Sequence, residues 1–394
     1  MRILFCTDTY PPQVNGVSVV TALTVRGLER RGWECTVIAP RYPGTAIAPG
    51  DGAATHIVAI PSLPLPRYPD IRVAVPGARV RDTIARVKPD LVHCATEFVL
   101  GRLGMRAVRE LGIPVCTSYH TDFTRYAAAY GLPWLAGPVT RSIMRFHSRA
   151  ARVFTPSSHA RDELRRHGVE QVEVWGRGVD ASQFHPSRRS AALRMSNGLG
   201  EALTILFVGR LAPEKEVQLV IDAFAIVENA LPPGSVRLLV AGAGPDAEAL
   251  RRRASPGVTF IGSVDHATVL PAVYASADIF VMASTTETLG LVGLEAMASG
   301  IPVVATPAGG VAEYLRHGHN GLAFAPREVA GCASAMLALA DDPVLRRRLA
   351  AGARRTAEER SWDQELDRLD LAYREVLLSR DRGPRSGSHP CRAA

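Results

Sequence analysis

The chain has 394 residues, is 47% hydrophobic, and carries 46 Lys and Arg against 38 Asp and Glu, a formal net charge of +8. This length gives room for two domains with full cores, no uninterrupted apolar run approaches the roughly 18 residues of a membrane span, and no basic stripe with interleaved aromatics points to nucleic acid. Residues 1–175 hold 22 basic and 14 acidic residues while residues 176–394 hold 24 of each, so the first half alone is expected to meet an anionic surface or acceptor.

Arg2 to Cys6 reads as a first strand with no basic-then-apolar leader, which fits a soluble, cytoplasmic protein. Cys6, Cys35, Cys94, Cys116, Cys332 and Cys391 are scattered without a Cys-x-x-Cys and are expected to be reduced thiols, mostly in the core. A helix is predicted from Gly16 to Arg31, then strands over Cys35–Ala39, Leu91–Cys94 and Pro114–Ser118, with a helix over Leu100–Leu111. Such alternation implies βαβ units and a mainly parallel sheet.

Gly16 opens its helix directly after Asn15, and a helix N-terminus favours anions; an ordinary turn glycine is the alternative. His120 follows the strand ending at Ser118 and so sits where open α/β sheets bind ligands. It is either a satisfied structural histidine or a ligand contact. Glu97 and Asp122 occupy adjoining strand-end loops and either position or deprotonate a substrate hydroxyl or serve structure. Thr140 to Arg152 is predicted as a helix with Arg141, Arg145 and Arg149 on one stripe and Val139, Ile143 and Phe146 on another. That pattern fits a helix on anionic lipid as well as a solvated arginine face, and the charge asymmetry favours the first. A helix over His159–His167 and a strand over Val172–Trp175 follow, and then Gly, Pro, Ser and Arg dominate to about Gly200, as in a linker.

The second half restarts the alternation with strands at Leu203–Val208, Leu238–Ala241, Thr259–Ile261, Ile279–Ala283 and Pro302–Ala305. In Val208-Gly-Arg210-Leu-Ala-Pro-Glu-Lys215, the lysine is one of only two in the chain, with Lys88, and a compact ammonium suits a phosphate. Val240-Ala-Gly242-Ala-Gly244-Pro-Asp-Ala247 fits a loose dinucleotide fingerprint, which opens a nicotinamide-dependent reading. In Ser-Thr-Thr-Glu287-Thr-Leu-Gly-Leu-Val-Gly-Leu-Glu295, Glu287 lies in a strand-to-helix loop and Glu295 about two turns into a helix over Gly290–Ser299. The two acids can meet two parts of one extended ligand; a glycosidase-type nucleophile at Glu287 is the less favoured alternative. A closing helix over Trp362–Leu378 carries Leu366, Leu369, Tyr373 and Leu377 at spacings of three and four, and the tail beyond it is expected to be disordered.

These segments together resemble, over nearly the whole chain, the nucleotide-sugar-dependent glycosyltransferases of family 4. The resemblance implies an α/β fold of the GT-B type, two doubly wound Rossmann-like domains facing across a cleft. By the same reading, residues 1–175 form an acceptor-binding domain, 176–200 a linker, 201–361 a nucleotide-sugar domain, 362–379 a helix crossing back to the first domain and 380–394 a tail. Arg210 and Lys215 then match the diphosphate-binding pair, Glu287 the donor-sugar glutamate and Glu295 the ribose glutamate. Gly209 and the backbone of Thr288, Leu289, Gly290 and Leu291 would line the phosphate and sugar, and Ile261, Gly262 and Ser263 the base. Pro11-Pro-Gln-Val-Asn15-Gly16-Val matches the loop approaching the donor phosphates, and Tyr119-His120-Thr-Asp122-Phe the block with the active-site histidine.

Trp175-Gly-Arg177-Gly-Val-Asp180 and Thr286-Glu-Thr-Leu-Gly are similar to bacterial mannosyl- and sulfoquinovosyl-type branches that glycosylate lipids. Arg177 stands where many relatives have Asn or Lys, and sequence gives it no role. The expectation is retaining transfer of a hexose, mannose from GDP-mannose as the specific case, to a hydroxyl acceptor on a lipid, at the inner face of the membrane. A UDP-sugar donor is the alternative, followed by a nucleotide-sugar epimerase, an NAD-dependent oxidoreductase and a non-enzymatic sugar-nucleotide-binding protein. No Asp-x-Asp pair exists, so neither a metal nor a cofactor is expected beyond the nucleotide sugar as co-substrate.

Overall fold

A computed structural model describes residues 1–13, 15–43, 55–65, 68–75, 79–120 and 133–381. Asp122, Cys391 and the tail beyond residue 381 lie outside these residues.

The first half contains β1 (Arg2–Cys6), α1 (Gly16–Glu29), β2 (Glu34–Pro40), β3 (His56–Ile60), β4 (Ser62–Leu65), β5 (Tyr68–Ala74), α2 (Arg79–Val87), β6 (Leu91–Cys94), α3 (Val99–Leu111), β7 (Val115–Ser118), α4 (Pro133–His147), β8 (Arg152–Thr155), α5 (Ser158–Arg166) and β9 (Val172–Val174). Seven of these strands pair in the order β3-β2-β1-β6-β7-β8-β9, all parallel, and β4 and β5 form an antiparallel hairpin.

The second half contains α6 (Ala191–Ser196), β10 (Leu203–Val208), α7 (Val217–Ala230), β11 (Val236–Ala241), α8 (Ala247–Arg253), β12 (Val258–Gly262), α9 (Leu270–Ala275), β13 (Ile279–Met282), α10 (Leu291–Ala298), β14 (Val303–Ala305), β15 (Gly321–Ala323), α11 (Val329–Asp341), α12 (Pro343–Glu358) and α13 (Trp362–Asp381). Its parallel sheet runs β12-β11-β10-β13-β14-β15.

Strands such as β6 and β13 are buried at every residue. Helices cover both faces of such a parallel sheet, so its central strands read as apolar runs without alternation. Each sheet reverses its strand order once, between β1 and β6 and between β10 and β13. Crevices open at the carboxyl ends of the strands at such a reversal, and ligands bind there.

The chain passes between the halves twice at one place. Outbound, Val179 N–H donates to the Arg360 carbonyl of the returning segment at 3.0 Å, and Val179 bridges Ser361. A Cβ on Gly178 would stand 2.3 Å from the Trp362 backbone nitrogen, so only glycine lets the two main chains touch. After the return, α13 lies on the first half. Leu369, Tyr373 and Val376 join Val25, Leu28, Trp33, Phe154 and Trp175 in one core cluster, and Trp33 Nε1 donates to Asp370 at 2.6 Å.

The structure departs from expectation in two places. The helix expected over 140–152 begins earlier, at Pro133, and ends at His147. Arg149 and Ala150 then make turn-type bonds to Phe146 and His147, and Ala151 N–H turns to the Val115 carbonyl, which commits Arg152 to β8. The stretch 176–200 is not a free linker. Val179, Phe184 and Leu199 sit in the core of the second half, and buried Arg194 donates to the carbonyls of Gly200, Ala202 and Ser276. Its few apolar anchors follow no period, so sequence concealed them. The five described cysteines are free and buried, as expected, and none of the described helices is long and apolar enough to cross a membrane.

Gly178→Ala is expected to cost about 1–3 kcal/mol, the usual range for forcing atoms into a filled space. Urea denaturation of the two proteins measures this, and an unchanged midpoint would show that the crossing tolerates a side chain.

Candidate functional site

The second half's strand-order reversal gathers the predicted donor residues. Arg210 lies just beyond β10, and Lys215 ends a short 3-10 turn over Pro213–Lys215 that leads into α7. Glu287 lies in the loop between β13 and α10. The Lys215 ammonium donates to Glu287 Oε1 at 2.5 Å, with the two side chains 21% and 13% exposed. A cation and an acid read from separate motifs therefore form one ion pair, partly shielded from water, at the crevice.

The Glu287 loop is shaped by glycines. Gly290 adopts φ 81° at the start of α10, and Tyr314 OH donates to its carbonyl at 2.8 Å. Gly310 N–H donates to the Glu287 carbonyl at 2.9 Å, and a Cβ on Gly310 would stand 2.1 Å from the Thr288 carbonyl oxygen. The dipeptide Gly309-Gly310 is a turn signal visible in the sequence. The backbone of Thr288, Leu289, Gly290 and Leu291 thus lies beside Glu287 and opens α10.

Glu295 lies inside α10 and is 7% exposed. Its Oε1 accepts from His266 Nε2 at 2.8 Å and its Oε2 from Tyr274 OH at 3.0 Å. Each carboxylate oxygen keeps a second acceptor position, which suits a diol. His266 and Tyr274 were not legible, because they stand 29 and 21 residues away on other elements. Burial lowers the His266 pKa, but the hydrogen bond and charge of Glu295 outweigh it and the net shift is upward. Gly262, at φ 72°, ends β12 between Ile261 and Ser263, and its carbonyl accepts from Gly242 N–H at 2.8 Å.

The glycine fingerprint has a packing explanation. A Cβ on Gly242 would stand 1.8 Å from the Gly209 carbonyl oxygen and one on Gly244 2.2 Å from that of Leu211. These glycines let the β11 loop lie against the Gly209–Arg210 segment, which removes the main support for the dinucleotide reading.

The first half supplies the opposite wall. The Asn15 side chain caps α1 by accepting from Ser18 N–H at 2.9 Å, and Gly16 is exposed with nothing within 4 Å of a Cβ placed on it. His120 follows β7, and its carbonyl accepts from Thr288 Oγ1 at 2.8 Å, so the two halves meet one residue from Glu287. His120 Nδ1 is 3.2 Å from Arg177 Nη2. Burial first, then Arg177, with His93 and His147 disfavouring a further positive charge, hold the His120 pKa well below the usual imidazole value. Glu97 is 3% exposed and its Oε1 accepts from His147 Nε2 at 3.2 Å, so this carboxylate is anchored within the first half. Among the described residues no cluster of three or more His, Cys, Asp or Glu is placed to hold a metal ion.

Residues 14–183 match the family model described as Glycosyltransferase Family 4, and residues 202–342 that described as Glycosyl transferases group 1. A GDP-mannose-dependent alpha-mannosyltransferase of Mycobacterium tuberculosis (strain CDC 1551 / Oshkosh) is 34% identical over 384 residues, 96% of this chain and 98% of that protein. The chain belongs to glycosyltransferase family 4. A sulfoquinovosyl transferase of Arabidopsis thaliana is 34% identical over 326 residues, 80% of this chain and 62% of that protein.

Among solved structures, Anabaena HepE in complex with UDP and glucose superposes with a TM-score of 0.76 at 21% identity, covering 95% of this chain and 99% of that one. Sucrose-phosphate synthase from Thermosynechococcus elongatus gives 0.78 at 19%, covering 96% and 99%. The fold is GT-B, and the protein is a glycosyltransferase.

The raised His266 pKa has a definite sign. Its pairing with Glu295 contributes stability that is fully present below the unfolded value near 6.5 and is lost as pH rises through the higher folded value. The stability lost in His266→Gln is therefore expected to be larger near pH 5.5 than near pH 8.5. Chemical denaturation at both pH values tests this, and equal losses would contradict the pairing.

Proposed function

We propose that this glycosyltransferase moves mannose from GDP-mannose, with retention at the anomeric carbon, to a hydroxyl group of a lipid or glycolipid. The observation that carries the reading is the Lys215–Glu287 ion pair at the strand-order reversal. A donor diphosphate entering there offers Lys215 a second anion and frees Glu287 to accept from a sugar hydroxyl. As the glycosidic bond breaks, negative charge grows on the leaving nucleoside diphosphate, so Lys215 and Arg210 contribute most in the transition state. Glu295 then holds the ribose diol, Ile261, Gly262 and Ser263 border the base, and the α1 N-terminus at Gly16 adds a partial positive charge opposite. His120 contacts the donor sugar from the first half. The mannosyltransferase relatives, matched over 98% and 91% of their own lengths, support GDP-mannose as the donor.

The membrane is the second partner in this reading. Arg102, Arg106 and Arg109 of α3, with Arg145 near the end of α4 and Arg149 in the turn beyond it, line a groove of about 680 Å³ in which Glu110 is the one lining carboxylate. Phe98, just before α3, and Trp134, in the first turn of α4, are 48% and 70% exposed. Guanidinium groups with aromatic side chains at the helix ends suit an anionic headgroup layer.

A thermal-shift panel with GDP-mannose, UDP-glucose, UDP-sulfoquinovose, GDP, UDP and NAD tests the donor. A ligand at 100 times its Kd stabilises by about 2.7 kcal/mol. GDP and GDP-mannose are expected to stabilise, a response to UDP compounds alone would replace the donor, and a response to NAD alone would overturn the reading. Lys215→Ala is expected to lower kcat for donor turnover by about 10²–10³, and near-normal turnover would remove Lys215 from the diphosphate site. Reversing Arg109 and Arg145 to Glu is expected to abolish co-sedimentation with phosphatidylglycerol vesicles, and unchanged binding would leave the groove as a solvated face.

A further inference from the structure

We infer that Arg177 is a positioning residue that fixes His120 as a neutral imidazole with its proton on Nε2, facing the chemistry as a hydrogen-bond donor. The inference rests on the proposed reading of His120 as a contact to the donor sugar. Arg177 is 2% exposed, and among the described residues no carboxylate lies within ion-pair distance of it, the Glu365 carboxylate favouring its charge only from farther away. Burying a cation without a carboxylate in direct contact is costly, and an apolar side chain would fill the same space with a smaller desolvation penalty. A positive charge retained there calls for a use.

Three contacts define that use. Arg177 Nη1 donates to the Trp175 carbonyl at 3.2 Å, the guanidinium lies 3.8 Å from the centroid of the Trp175 ring, and Nη2 reaches His120 Nδ1 at 3.2 Å. Trp175 is itself fixed, donating from Nε1 to the Glu365 carbonyl at 2.8 Å and packing edge-on against Phe154 and Trp362. A guanidinium has only N–H donors. His120 Nδ1 must therefore present its lone pair, and the neutral ring carries its proton on Nε2. A second proton on Nδ1 would remove the acceptor and set two cations in contact.

The surrounding groups act in the same direction. His93 from β6 and His147 from α4 disfavour a charge on His120, after burial and Arg177. Burial pulls the Arg177 pKa down to about 9, opposed by Glu365 and Tyr373 of α13, so the guanidinium stays charged at neutral pH. Tyr373 OH is held by His93 Nδ1 at 2.7 Å, and His93 Nε2 by Ser118 Oγ at 2.9 Å. Lysine would not reproduce the arrangement, because a single ammonium cannot stack on the indole while directing separate donors to a carbonyl and an imidazole. The Thr288 bond to the His120 carbonyl fixes the main chain, and Arg177 fixes the ring.

The test is a double-mutant cycle on the hydrolysis of GDP-mannose, with water as acceptor and GDP release as the readout. If another nucleotide sugar stabilises the protein in the thermal-shift panel, that donor replaces it. Arg177→Met is expected to lower kcat by about 10–100-fold, the range typical for partners that orient metal-ligating histidines. KM is expected to hold, Arg177→Lys to give no rescue, and Arg177→Met to have no further effect in a His120→Ala background.

His-selective ¹⁵N NMR, with the His120 signal identified by its loss in His120→Ala, is expected to show an Nε2–H ring that does not titrate between about pH 5.5 and 8. In Arg177→Met the same ring is expected to mix tautomers and titrate nearer the ordinary value. Full activity in His120→Ala would overturn the reading of His120 itself. A slow His120→Ala to which Arg177→Met adds its full effect would overturn this inference alone. If Arg177→Met does not fold, an Nδ1–H or doubly protonated His120 in the unmodified protein is sufficient to overturn it.

Discussion

Two main chains touching at Gly178 and Trp362 set the geometry on which the cleft depends. The outbound and returning segments are bonded through Val179 N–H and the Arg360 carbonyl, and no side chain fits between them. Movement of one half against the other must either pivot about that bond or break it. The remaining contacts between the halves follow from this tie. Thr288 reaches the His120 carbonyl, and the Glu313 carboxylate of the second half accepts from Ser158 Oγ at the start of α5, where the helix dipole favours an anion. The returning chain continues as α13 and closes the aromatic cluster around Trp33, Phe154, Trp175 and Tyr373.

Charge in the crevice is arranged in pairs that exchange partners at different cost. Lys215 and Glu287 hold each other with side chains 21% and 13% exposed, where neither charge can be left uncompensated and Glu287 is released only as another anion reaches Lys215. Glu295 is buried deeper, with both oxygens already engaged by His266 and Tyr274, so its orientation is fixed in advance of any ligand. Preorganised polar groups avoid reorganisation when charge develops. The cleft therefore combines one displaceable pair with one rigid acceptor.

What sequence revealed and what it hid divide along physical lines. The buried parallel strands were visible as short apolar runs, and Glu287 and Glu295 were visible because a strand end and a helix of known pitch place them. His120 was located by the strand before it. The partners of these residues were hidden, since Arg177 is 57 positions from His120 and His266 is 29 from Glu295. The end of α4 at His147 was misjudged because its arginine spacing continues through a turn whose backbone has already left the helix. The core role of Phe184 and Leu199 was missed for the opposite reason, anchors without a period. The Gly242 and Gly244 pattern pointed to the wrong ligand, because close approach of two loops demands the same residues as close approach to a pyrophosphate.

The chain's near-exclusive use of arginine leaves a chemical handle. Only Lys88 and Lys215 carry a side-chain primary amine. Lys88 is exposed just before β6, at the amino-terminal edge of the first sheet, while Lys215 stands at the carboxyl edge of the second. A reagent that forms an imine with primary amines would thus meet one side-chain target in the cleft and one remote from it, each on a separate peptide after digestion. Lys88 serves as the internal standard, and protection of Lys215 against it becomes a direct measure of cleft occupancy that requires no turnover.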